Sequence, residues 1–135
     1  MQITYLCPKH ADWVYNNPQQ AIHFLSRDEM QGSLLYQNGF YSDAIPYLGC
    51  AFDIAAILLE LEEGSNSTLV DTLKALTLML ATAYRRLQRT DCHQAINTRA
   101  SMLLMAVKSY QESQMQAGVR GKLTPSANNP QFSIK

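Results

Sequence analysis

Residues 39–61 read GFYSDAIPYLGCAFDIAAILLEL, and this stretch decides the fold. Ile45, Leu48, Phe52, Ala55 and Leu59 recur at alternating steps of three and four, the period of one helix face. Ala44, Ala51, Ile54 and Leu58 widen that stripe over much of the circumference. A helix apolar on most sides is expected at the centre of a core, contacted from more than one direction. Ser42 is placed to cap it, and it is expected to run to about Glu62. Pro46 falls in the first turn, where a missing N–H is tolerated. Residues 44–61 are nearly long enough to span a bilayer, but Pro46, Asp53 and Glu60 interrupt them. A charge near the middle of a span costs about 2.5–3.5 kcal/mol, so the reading is a buried helix of a soluble protein. Asp53 reads either as a buried functional acid or, the commoner case, as part of a narrow polar strip facing solvent that it shares with Glu60.

Helical patterning continues on both sides. Upstream, Asn17-Pro18 suits the opening of a short helix. Ser26-Arg27-Asp28-Glu29 has capping-box spacing, which predicts a helix over 27–37 closed by Asn38-Gly39. Downstream, residues 63–67 form a polar loop, and Thr68 is placed to cap a helix to about Gln88. Its stripe is Leu69, Leu73, Leu76, Leu80, Ala83 and Leu87. Thr90-Asp91 opens a last helix to about Met115, striped by Ile96, Ala100, Leu103, Val107 and Tyr110. Only residues 2–6 look extended. From Ala117 the pattern stops, and Gly118, Gly121, Pro125 and Pro130 imply a flexible tail.

The fold class is therefore all-α: antiparallel helix pairs in a repeat-like or four-helix bundle-like arrangement. The expected organisation is an N-terminal arm with a short helix over 1–25, a helical domain over 26–116 and a tail over 117–135. The chain of 135 residues fits one domain. Its 11 basic and 11 acidic residues cancel, but not evenly. Residues 1–83 hold three basic residues against nine acidic ones, and residues 84–135 hold eight against two. One fold then carries two ends of opposite sign, which suits oriented association with a protein and argues against indiscriminate binding to polyanions. Three sparse cysteines, Cys7, Cys50 and Cys92, are no disulfide framework. With no signal-peptide pattern at the start, the expected compartment is the cytoplasm.

Gly32, Leu35, Gly39, Phe40, Ala44, Leu48 and Ala51 stand at the offsets of a tetratricopeptide repeat, and residues 26–110 resemble two such helix pairs. Small residues at a helix crossing permit close approach, and large ones fill the adjoining holes. In the second pair Ala83 precedes Ala95 as Gly32 precedes Ala44, and Arg89-Thr90-Asp91 aligns with Asn38-Gly39-Phe40. That pair departs from the pattern. Arg99 stands where a large apolar residue belongs, and Met102 where a small one does.

What the resemblance implies is a non-catalytic protein-interaction module, an adaptor, chaperone or regulatory protein, gripping a polypeptide in a helical groove. Mapped by offset, the groove residues are Glu29, Ser33, Tyr36 and Gln37 from the first pair. Thr77, Leu80, Tyr84, Arg85, Leu87 and Gln88 come from the second. Two pairs make a small groove, so a homodimer is expected to extend it. The Pro- and Phe-containing end, with Phe132 and Ile134, is a candidate ligand mimic for a neighbour's groove. The alternative reading is a nucleic-acid-associated regulator using Arg85, Arg86 and Arg89, with Arg99 and Lys108 extending the patch. Cys7 and His10 have ligand spacing, and Cys92-His93 adds two ligand types. Adjacent ligands chelate one tetrahedral ion poorly, so no metal and no cofactor are expected. Cys/His nucleophile pairs lack a third orienting group, and no phosphate loop or catalytic motif is present; the chain is read as no enzyme.

Overall fold

The computed structural model describes the backbone of residues 2–123 and the side chains of residues 2–116. Five helices follow one another: α1 (Pro8–Asn16), α2 (Pro18–Gln37), α3 (Tyr41–Leu61), α4 (Ser67–Arg86) and α5 (Thr90–Leu123). No strand occurs among the described residues. The α2/α3 and α4/α5 hairpins stack side by side, with α1 packed on α2 and α3. The all-α class and the antiparallel pairing follow the sequence pattern.

The decisive stretch forms α3, buried over nearly its whole length from Leu48 to Leu59. By length and composition α3 is able to cross a membrane, but 67% of that window is buried inside this fold. Leu48 and Phe52 meet Leu73, Leu76 and Leu80 of α4 and Ile96 of α5 in a core whose largest members are fully covered. Each such side chain is worth about 1.5–3 kcal/mol when removed from water. Gly32 of α2 lies directly against the Leu48 side chain, so any Cβ there must displace it. This is the close crossing that the small residue was expected to allow.

Several helix starts differ from expectation. Ser26 caps nothing, because α2 already begins at Pro18 and runs through it. Leu25 and Ala21 continue the buried face of Gly32 two and three turns earlier, and this packing overrides the local capping signal. Phe40 rather than Ser42 precedes α3. Asn66 rather than Thr68 caps α4, its side chain accepting from the Leu69 N–H at 3.1 Å. The last helix continues past Met115 to Leu123, so the expected tail is helical in its first part. Residues 124–135, with Phe132 and Ile134, lie outside the described residues.

α2, α3 and α4 all end in the same hydrogen-bonded turn. Gly39 N–H donates to the Tyr36 carbonyl and Phe40 N–H to the Leu35 carbonyl. Glu63 and Gly64 repeat this onto Glu60 and Leu59, and Gln88 and Arg89 onto Arg85 and Tyr84. This is the Schellman closure, which needs a left-handed residue. Gly39 supplies it at φ 82°, Glu63 at 52° and Gln88 at 58°. The structural counterpart of Gly39 in the second hairpin is therefore Gln88. The offset alignment set Thr90 there, two residues late.

Candidate binding surfaces

Asp53 is not on a solvent-facing strip. Its side chain is 6% exposed and paired with Arg99 of α5, Nη1 to Oδ1, at 2.5 Å. Oδ2 of the same carboxylate accepts the N–H groups of Tyr5 and Leu6, at 2.7 and 2.8 Å. Arg99 Nη1 also donates to the Ile3 carbonyl at 2.9 Å, and its guanidinium lies 4.9 Å over the Phe52 ring. Two consecutive N–H groups converging on one oxygen curl the backbone around the anion. Residues 2–6, which the sequence suggested as extended, form no strand and bend at Leu6. The Tyr5 ring lies against Gly49, and its hydroxyl meets the Tyr84 hydroxyl at 2.8 Å. Burial and the Tyr84 bond push the Tyr5 phenol far above its ordinary range.

This clamp explains why Asp53 interrupts α3 and why Arg99 departs from the repeat pattern. Arg99, at a position where the repeat wants an apolar side chain, answers the one acid buried in α3. It is turned inward and takes no part in a basic surface patch.

The expected groove residues divide between surface and interior. Glu29, Ser33 and Tyr36 are half-buried on α2, and Gln37 is exposed. Arg85, Leu87 and Gln88 are exposed at the end of α4. Leu80 is fully buried, Tyr84 is covered by the arm, and half-buried Thr77 donates its hydroxyl to the Leu73 carbonyl at 2.7 Å. These three positions belong to the packed sides of α4, because the leucine stripe faces the core.

The face of α4 opposite that stripe carries Lys74, Leu78 and Arg85, all exposed. Leu78 is 68% exposed, and on α2 Met30 is 65% and Leu34 51% exposed. The two helices touch where the Ser33 hydroxyl reaches the Met79 sulfur at 3.7 Å. Reading by repeat offset passed over Leu78, Met30 and Leu34. For Leu78 the signal was a leucine out of phase with the stripe of its helix.

The basic cluster is partly engaged. Arg89 reaches the Asp91 carboxylate with Nε at 3.3 Å and Nη2 at 3.4 Å, and Arg86 lies 5.8 Å over the Tyr41 ring. Cys7 is exposed and Cys92 buried, its thiol pushed up by burial. His93 Nδ1 sits 2.8 Å from the Ala81 carbonyl oxygen. Among the described residues no three His, Cys, Asp or Glu side chains gather as a metal-binding group.

Two hollows flank α3. One, of about 310 Å³, lies between α3 and α5, beside Arg99, and is floored by Ile57, Leu103 and Val107. The other, of about 510 Å³, opens between α1, α2 and α3, with Trp13, Phe24 and Tyr47 among its walls. No protein-family model, curated protein or solved structure matches this chain.

Proposed function

We propose that the chain is a non-catalytic, repeat-like helical module that binds a polypeptide partner, as an adaptor or chaperone does. The observation that carries this reading is the exposed apolar set Met30, Leu34 and Leu78 on α2 and α4. Large exposed apolar side chains on neighbouring helices mark interaction surfaces, and methionine adapts its shape to different partners. Glu29 and Gln37 on α2, with Lys74 and Arg85 on α4, add polar side chains of both signs to the same two helices. Such charges orient a partner and exclude wrong ones.

The test starts with the immobilised chain and a lysate of cells that express it. A captured polypeptide is identified, purified and titrated directly. Leu78→Asp and Arg85→Glu, both surface changes, are each expected to weaken binding by about tenfold or more with helicity unchanged. Equal affinity in both variants refutes the assignment of this face.

A further inference from the structure

We propose that the hollow between α1, α2 and α3 is a binding site for a small organic cation, an amine or quaternary ammonium on an apolar body. Its volume of about 510 Å³ lies within the usual span of small-molecule sites, roughly 300–1,000 Å³. It is distinct from the α2–α4 face, and the proposal stands independently of the polypeptide-binding reading.

The walls suit a cation. Trp13 and Phe24 meet edge to face, with centroids 5.4 Å apart and planes at 87°, so they form two sides of a corner. Tyr47, half-exposed on α3, adds a third aromatic wall. Aromatic faces carry negative charge density and attract ammonium and guanidinium groups within about 6 Å. The chain already uses one of these rings in this way: the Arg27 guanidinium sits 4.7 Å over Phe24.

The charge inside the hollow also has a sign. Asp28 is the one acid among the described residues lining it, beside the basic side chains Arg27 and His10, and its side chain is 13% exposed. Arg27 Nε stands 3.8 Å from its Oδ1, beyond hydrogen-bond distance. Among the described residues nothing donates a hydrogen bond to this carboxylate. Burial raises the Asp28 carboxyl above its ordinary range, as expected for an acid lacking a donor. The Cys50 thiol beside it is pushed up as well and adds no anion. Arg27 is 68% exposed, so water screens its charge at the rim, while Asp28 sets the potential within. A bound ammonium supplies the missing partner and seats its apolar body on Leu6, Val14 and Ile54.

Trp13 is the single tryptophan of the chain, so its fluorescence reports on this hollow directly. The full chain is titrated with benzyltrimethylammonium and phenethylammonium, and with 3-phenylpropionate as the anion of matching ring. The cations are expected to give a saturable change, weakened by about tenfold or more in Asp28→Asn. Arg27→Gln is expected to leave cation binding equal or tighter, because it removes a like charge. Tyr47→Ala, a change at an exposed position, is expected to weaken both cations. Three results overturn the proposal: no saturation up to about 10 mM, unchanged affinity in Asp28→Asn, or tighter binding of phenylpropionate than of the cations.

Discussion

Arg99→Met should detach the N-terminal arm and destabilise the whole fold. The variant leaves the Asp53 carboxylate buried, with only the Tyr5 and Leu6 N–H groups as partners. Removing one member of a buried ion pair costs about 3–5 kcal/mol, because the other charge stays desolvated. The Arg99 side chain is 25% exposed, and partial hydration holds the estimate at the low end, about 3 kcal/mol. With a urea dependence of about 2 kcal/mol/M, the unfolding midpoint falls by about 1.5 M. Asp53→Leu should cost a similar amount, since it strands the guanidinium and two N–H groups together. The double variant removes both charges and should cost less than the two singles combined, by about 1 kcal/mol or more. Urea unfolding followed by circular dichroism measures all four proteins. Amide exchange at Tyr5 and Leu6 should rise in each variant. Strict additivity of the two changes, or a loss under about 0.5 kcal/mol for Arg99→Met, would refute the clamp.

Gly49→Ala should also lift the arm, since its Cβ enters the Tyr5 ring; the expected loss is about 1–3 kcal/mol. In a Tyr5→Gly background the same change should be nearly neutral, and a cycle of unfolding midpoints checks it. Gln88→Gly should stabilise the protein by about 0.5–1 kcal/mol, because Gln88 is held at φ 58° where its Cβ is disfavoured; a lowered thermal midpoint would count against this. Asp28→Asn should be more stable than the parent at neutral pH. The folded carboxyl of Asp28 is raised by burial, so the native state binds its proton where the unfolded state has released it. Stability then falls as pH rises from the ordinary carboxylate range through the raised one. The two proteins should converge below that window, and parallel pH profiles would contradict the assignment.

The position of α3 was legible because its apolar residues cover nearly every direction. The clamp was visible in the sequence only as two separate anomalies. Asp53 interrupts an apolar helix and Arg99 breaks an apolar stripe, and opposite charges at two such sites are candidates for each other. Helical periodicity reports which face is buried but not which helices cross, so their meeting came only from the fold. The start of α2 was hidden for a different reason. A capping box at Ser26 is a local preference, and the packing of Ala21 and Leu25 outweighs it. Gln88 carried no turn signature, since nothing in its side chain announces a left-handed backbone. The hollow beside α1 is walled by three helices, and no spacing along the chain links Trp13, Asp28 and Tyr47.

The arm fixes an order on biosynthesis. Residues 3–6 leave the ribosome well before their anchor on α5, which is 96 positions beyond Ile3. At about 5–20 residues per second, that interval alone lasts roughly 5–20 s on the ribosome. For the last 46 of those positions the Asp53 carboxylate has no guanidinium, and the flank of α3 that Tyr5 and Arg99 cover stays wet. Seating residues 3–6 and α5 is thus one event, and the nascent chain depends on it to close α3.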